Sequence, residues 1–210
     1  MRIGIVGYQG DVAEHSAILE RMAREYKRDI DIVQLRSRKN LQNISGLIIP
    51  GGESTTIYRL LKEADLFDPI ITRVKNGMPV MGTCAGLIII ARDNPAERLK
   101  SMNLIDARIR RNGYGRQGDS FVETVEIAGI GDFEAVFIRA PVIESVGPTV
   151  DVLAKHNGQP IMIRDNNVLG LTFHPELTGD SRIHDYFLDM IGGRGYISTP
   201  KREWYMVSRI

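Results

Sequence analysis

Cys84 is the single cysteine of the chain, and it stands in Gly82-Thr83-Cys84-Ala85-Gly86. A nucleophile held between two glycines at a strand-to-helix junction sits on a sharp turn with its side chain raised above the sheet. The glycines are required there because the turn leaves no room for Cβ atoms. A helix start adds a dipole that favours thiolate and free N–H groups, that of Ala85 first, for an oxyanion. A lone cysteine is most often a small inert core residue. The paired glycines and the strand–helix setting turn the balance toward a nucleophile. One cysteine also cannot close an internal disulfide, so a disulfide-built secreted fold is excluded.

A thiol nucleophile needs a base, and the base needs an orienting group. Of four histidines, His15 and His184 fall in helical patterns and His156 precedes an Asn-Gly turn, so these three read as structural or surface residues. His174 differs: it follows an apolar strand and opens His174-Pro175-Glu176. Pro175 holds His174 extended, and in an extended segment residues two apart share a side. Glu176 is thereby expected to reach the imidazole, fix its tautomer and stabilise the imidazolium. By itself the pair reads as a surface contact. Its place at a strand end, like that of Cys84, favours a site, because open α/β sheets carry their sites outside the carboxyl ends of strands.

Gly51-Gly52-Glu53-Ser54 forms a third strand-to-helix junction. Two glycines let backbone approach a ligand, and a helix start favours negative charge. No Walker lysine follows, which argues against a phosphate loop. Two arginines complete the set. Arg111 lies in Arg110-Arg111-Asn112-Gly113-Tyr114-Gly115-Arg116-Gln117, and Arg139 ends the strand Phe137-Ile138-Arg139. Either could hold a carboxylate bidentately, although most arginines are solvated surface charges.

The elements that must position these residues read as an alternation. Strands are expected at Arg2 to Val6, Ile30 to Leu35, Leu47 to Pro50 and Pro79 to Met81. Helices follow from Asp11 (as N-cap) to about Tyr26, after Ser54, from Leu66 to Lys75 and from Leu87 to Ala91. This is the pattern of an α/β protein, a mostly parallel sheet covered by helices on both faces. Six short strands are expected in the second half, at Ile105 to Ile109, Phe121 to Ile127, Ala135 to Ile138, Val150 to Lys155, Pro160 to Arg164 and Val168 to Thr172. The alternation over Phe121 to Ile127 reads as antiparallel. A last helix covers Ile183 to Ile191. No repeat or linker interrupts the chain, so one domain over 1–192 is expected, with a tail over 193–210. The tail carries Arg194, Lys201, Arg202, Arg209 and the sole tryptophan, Trp204. A loosely ordered tail and one packed on the domain or a neighbour weigh equally.

Composition narrows the partners. The 210 residues carry 27 Lys plus Arg against 26 Asp plus Glu, a net charge of +1. A broadly basic nucleic-acid binder is thus disfavoured. No apolar run approaches the roughly 20 residues that span a bilayer, and the N-terminus enters a strand without a signal-peptide pattern. A soluble cytoplasmic protein is expected.

Together, Gly82-Thr83-Cys84-Ala85-Gly86 and His174-Pro175-Glu176 resemble the class I glutamine amidotransferase family with its Cys-His-Glu triad. Further stretches narrow the resemblance to glutaminase subunits of pyridoxal 5′-phosphate synthases. These are Gly7-Tyr8-Gln9-Gly10, Pro50-Gly51-Gly52-Glu53-Ser54-Thr55-Thr56, Gly113-Tyr114-Gly115-Arg116-Gln117, Phe137-Ile138-Arg139-Ala140-Pro141 and Phe173-His174-Pro175-Glu176-Leu177-Thr178. The resemblance implies hydrolysis of L-glutamine to glutamate and ammonia, with ammonia passed to a separate synthase subunit. It implies Cys84 as nucleophile, His174 as general base and acid, and Glu176 as its orienter. Gly52, Glu53, Ser54, Arg111, Ile138 and Arg139 would line the glutamine site, and Gly51, Gly52 and Ala85 are candidate oxyanion donors. No metal or organic cofactor is implied; pyridoxal phosphate would be the product of the complex. A glutaminase serving another synthase and a non-catalytic homologue are the alternatives. Tyr8 stands where the family more often has an aliphatic residue, and Gln9 beside it is expected to face the partner.

Overall fold

The computed structural model describes residues 1–92, 100–111 and 120–193. In the first half β1 (Arg2–Val6), α1 (Val12–Glu25), β2 (Asp31–Leu35), α2 (Arg38–Gln42), β3 (Gly46–Ile49), α3 (Ser54–Glu63), α4 (Phe67–Lys75), β4 (Val80–Thr83) and α5 (Ala85–Ile90) follow in order. The second half holds β5 (Ala107–Arg110), β6 (Ser120–Ile127), β7 (Gly131–Ile138), β8 (Val142–Val146), β9 (Asp151–His156), β10 (Gln159–Asp165), β11 (Val168–Leu171), a 3₁₀ turn (Pro175–Leu177) and α6 (Arg182–Gly192). The α/β alternation and the antiparallel second half are both present as expected. One α-helix and one strand among the described residues were not anticipated. Ser37 caps α2 by accepting the Asn40 N–H, and β8 pairs antiparallel with β5 in a separate two-stranded sheet.

The main sheet has nine strands in the order β2-β1-β3-β4-β11-β10-β9-β6-β7. The five strands from β2 to β11 are parallel, and β11 meets β10 antiparallel. Strand β11 therefore returns from the antiparallel half to lie beside β4, and this single return sets two distant segments of sequence on neighbouring strand ends.

Side chains of the parallel strands alternate between two cores. Val6, Leu47, Ile49 and Val80 pack with Ile57 and Leu61 of α3, Ile70 and Val74 of α4, and Leu87 and Ile90 of α5. Ile3, Ile5, Ile48, Met81, Leu169 and Leu171 pack with Ile18, Leu19 and Met22 of α1 and with Ile183 and Phe187 of α6. Fully burying one such side chain stabilises by roughly 1.5–3 kcal/mol, so both faces hold the sheet rigid beneath its carboxyl edge. An aromatic group continues the second core under β7: Phe121 stacks on Phe137 at 4.5 Å, and Phe173 lies 5.7 Å from Phe137 and 6.0 Å from Phe133. Phe173 anchors the segment that carries His174, and the His174 N–H donates to the Val136 carbonyl at 2.8 Å.

Among the described residues no helix is long and apolar enough to cross a membrane. The Gly113-Tyr114-Gly115-Arg116-Gln117 stretch and the tail after Gly193, with Trp204, lie outside the described residues.

Candidate active site

Four adjacent parallel strands, β1, β3, β4 and β11, end at the same edge. The segments that leave them carry Asp11, Gly51, Cys84 and His174 in turn. Cys84 follows β4 directly and has φ 47° and ψ −101°, a conformation that non-glycine residues rarely adopt. The strain is over-determined by its surroundings. The Cys84 N–H donates to Leu171 of β11 at 2.9 Å. A Cβ on Gly86 would stand 1.9 Å from the Ile49 carbonyl oxygen, and one on Gly82 would stand 2.7 Å from the Gly86 backbone. Both glycines of the motif are thus steric necessities, as expected. Cys84 is buried, with 7% of its surface exposed. Its Sγ points to the Ile138 carbonyl oxygen at 3.8 Å.

His174 Nδ1 lies 2.8 Å from Glu176 Oε1. The contact is the expected one, but its geometry is not. Pro175 to Leu177 wind into a 3₁₀ turn, so Glu176 reaches the ring across a turn and not by strand alternation. Asp11 also reaches Nδ1, with Oδ2 at 3.2 Å. The expected side-chain cap of α1 is therefore absent, because the carboxylate of Asp11 turns to the imidazole. Burial opposes charge on His174, yet Asp11, the Cys84 sulfur and Glu176 outweigh it and push its pKa up to about 12. The His174 imidazolium in turn holds Asp11 below the usual carboxylate range. Burial raises Glu176 despite the same cation. His174 Nε2 is buried without a hydrogen-bond partner among the described residues.

Behind Cys84, His174 and Glu176 lie His15 and His184, which the sequence marks only as structural or surface residues. His15 and His184 are both fully buried. His15 Nδ1 meets His184 Nε2 at 2.9 Å, and His15 Nε2 meets Thr83 Oγ1 at 3.3 Å and Glu176 Oε2 at 3.5 Å. Burial first, and then the neighbouring imidazoles of His184 and His174, hold His15 well below its ordinary value, and burial with Arg21 takes His184 to about 3. Both are neutral donors and acceptors at physiological pH. His15 on α1 was visible only as a polar residue on the apolar face of a helix, a weak signal by itself.

Gly51 is a packing position: a Cβ there would meet His174 Cε1 at 2.4 Å, Asp11 Oδ2 at 2.6 Å and His174 Nδ1 at 2.8 Å. Gly52 has φ +141°, and its missing Cβ leaves room for Gln9 Oε1. That oxygen accepts the Glu53 N–H at 2.8 Å, so the Gln9 side chain is engaged within the site. The Glu53 carboxylate caps α3. It accepts from the N–H groups of Thr55 and Thr56 and from both threonine hydroxyls, and it pairs with Arg111 Nη2 at 3.2 Å. Burial works against its charge, but the threonine hydrogen bonds hold its pKa at about 2. Arg111 and Glu53, 58 residues apart in sequence, are thereby joined at the rim. Ser54 is buried, with an Oγ that has no partner among the described residues. Ile138 and Arg139 are exposed beside Cys84, and Arg139 has φ 44°.

A family model of the SNO glutamine amidotransferase family matches residues 5–192. The chain is 55% identical over 199 residues to a protein of Thermoplasma volcanium named pyridoxal 5′-phosphate synthase subunit PdxT, covering 95% of this chain and 98% of that one. A Thermoplasma acidophilum protein of the same name is 52% identical, over 95% of this chain and 98% of its own. Among solved structures, one described as a glutamine amidotransferase superposes with a TM-score of 0.83 at 40% identity, covering 90% of this chain and 98% of that chain. The strained cysteine, its flanking glycines and the histidine–carboxylate pair thus lie inside a match that spans nearly the whole fold, and the chain belongs to the SNO glutamine amidotransferase family.

Proposed function

We propose that the chain is the glutaminase subunit of a pyridoxal 5′-phosphate synthase: it hydrolyses L-glutamine to L-glutamate and ammonia and passes the ammonia to a synthase subunit. The observation that carries this reading is the strained Cys84 turn at the end of β4, beside the His174–Glu176 pair that follows the adjacent β11. The relatives named PdxT support the synthase as partner.

As thiolate, Cys84 attacks the side-chain amide carbon of glutamine. The C–N bond breaks as His174 delivers a proton to the leaving nitrogen, which departs as ammonia and leaves a γ-glutamyl thioester. Water, deprotonated by His174, then adds to the thioester, and the thiolate leaves with glutamate released. One glutamine and one water give one glutamate and one ammonia. Glu176 holds the His174 tautomer through Nδ1 and leaves Nε2 for the reacting atoms. The N–H of Ala85 and a backbone N–H at Gly51 or Gly52 serve the tetrahedral oxyanion. Gly52, Glu53, Ser54, Ile138, Arg111 and Arg139 bind glutamine. Arg111, fixed by Glu53, and Arg139 offer forks for its carboxylate. The catalytic unit is residues 1–192, and a cytoplasmic setting keeps the lone thiol reduced.

The test is ammonia release from glutamine, measured with and without the synthase subunit. The wild type is expected to turn over in the complex and Cys84→Ala to be inactive. Wild-type activity in Cys84→Ala refutes the mechanism.

A further inference from the structure

We propose that Asp11 is a second carboxylate for His174, a positioning residue that shares the Nδ1–H with Glu176 and sustains the imidazolium required when ammonia leaves. This rests on the glutaminase reading above. Three independent observations support it. First, Asp11 stands at the N-cap of α1, where an aspartate ordinarily accepts the N2 or N3 N–H. It makes no such bond and instead sets Oδ2 3.2 Å from Nδ1. Second, the fold is shaped around this contact. Gly51 lacks the Cβ that would strike both Asp11 Oδ2 and His174 Cε1. The Asp11 N–H is also tied to the Gly51 carbonyl at 3.3 Å, and Gly10, at φ +99°, has no Cβ to strike that same oxygen. The turns after β1 and β3 are thus locked backbone to backbone, with the carboxylate held over the ring edge.

Third, the two carboxylates differ in a way that divides the work. The Glu176 side chain is fully buried, while that of Asp11 is 29% exposed. Water solvates the Asp11 charge, so Asp11 stays ionised at little cost. Glu176 carries a full desolvation penalty, and its charge is opposed by Asp11 as well. Glu176 fixes the direction of Nδ1–H with the shorter bond, and Asp11 supplies a dependable negative charge. The other groups facing this cluster are the Cys84 thiol and, behind Glu176, the neutral His15 with His184.

The experiment compares wild type, Asp11→Asn and Asp11→Glu in the complex with the synthase subunit, reading kcat, KM and the pH profile of glutamine hydrolysis. Asparagine keeps an acceptor oxygen and removes the charge. Asp11→Asn is expected to lower kcat about tenfold with KM within twofold. Its alkaline limb is expected about one pH unit lower, because a lost opposite charge at this range depresses a histidine by one unit or more. Asp11→Glu is expected to restore most of both. In parallel, NMR of labelled histidine in the free chain is expected to show the His174 titration midpoint lowered by a similar amount in Asp11→Asn. Unchanged kcat with an unchanged limb, or a lower kcat with neither the limb nor the midpoint moved, overturns the proposal. If the wild type releases no ammonia in the complex, the glutaminase reading falls, and the NMR midpoint alone then decides whether Asp11 governs His174.

Discussion

Gly51→Ala isolates the steric demand of the site from every other role of that residue. The backbone at Gly51 is not left-handed, so alanine is conformationally admissible, and the substitution keeps the N–H that could serve the oxyanion. What changes is one methyl group. Its Cβ would lie 2.4 Å from His174 Cε1, about 1 Å inside ordinary contact. Asp11 Oδ2 at 2.6 Å and His174 Nδ1 at 2.8 Å block the alternatives. Glu176 holds the ring at Nδ1 and the bond to Val136 holds its backbone, so relief must come from tilting the imidazole or expelling Asp11. A misplacement of about 1 Å in a catalytic group costs on the order of 100-fold. Overpacking of this kind costs roughly 1–3 kcal/mol, and the reduced entropy of the unfolded chain returns about 0.4–1 kcal/mol. The expected outcome is a kcat about 100-fold lower in the synthase complex, KM changed only a few-fold, and a cooperative melt lowered by several degrees. A folded Gly51→Ala protein with kcat within threefold of wild type refutes the packing role. Gly51 would then matter through its backbone alone.

Three further outcomes are expected. Cys84→Gly and Cys84→Ala are both inactive, but glycine relieves the φ 47°, ψ −101° conformation, whose strain is about 1–3 kcal/mol. In thermal melts Cys84→Gly is therefore the more stable by about 1 kcal/mol, and a lower melt for Cys84→Gly contradicts the strain argument. Arg111→Ala and Arg139→Ala each raise KM for glutamine about tenfold with kcat little changed, as loss of a charge-assisted contact in the ground state demands; an unchanged KM in both removes them from the site. His184, neutral in the fold with a pKa near 3, takes up a proton on unfolding once the pH drops through its ordinary 6.5. Its contribution is thus present above pH 6.5 and lost as pH falls below it, at up to roughly 1.4 kcal/mol per pH unit. In urea unfolding between pH 6 and 5, His184→Gln shows a shallower decline than wild type by about that slope, and equal slopes contradict a neutral buried His184.

The parts of the site legible in the sequence were those whose residues break a local rule. Cys84 between glycines and His174 before a proline both announce a special backbone, and strand-end placement linked them across 90 residues. Asp11 was hidden because an aspartate before a helix already has an adequate local explanation, the N-cap; only the three-dimensional meeting of β1 and β11 segments shows that the cap is forgone. His15 and His184 were hidden for a related reason, since helical periodicity shows which face is buried but not that polar groups on it meet 169 residues apart. In the sequence Gly51 signals only a close approach, which fits a backbone donor equally well. Whether a ligand or a side chain approaches is a matter of packing. Strand β8 escaped because it follows Pro141 and pairs only with β5, outside the main sheet, and so lacks a clear alternation.

The irregular features gather at one point, and that concentration bears on how the site operates. Cys84 and Arg139 hold left-handed backbone on either side of the Sγ–Ile138 contact. His174 Nε2, Glu176 Oε2 and Ser54 Oγ are buried without hydrogen-bond partners among the described residues. Each unpaired group costs about 1–3 kcal/mol, and each strained residue a similar amount. The two cores on either face of the sheet offset these costs beneath the four strand ends from which the cluster rises. The Ile138 carbonyl that the thiol now faces is an acceptor, so it suits the neutral Sγ–H and repels a thiolate. His174 is coupled to the same sulfur, which helps to hold the imidazole charged, so the Cys84 thiol lies between the Ile138 carbonyl and the His174 ring.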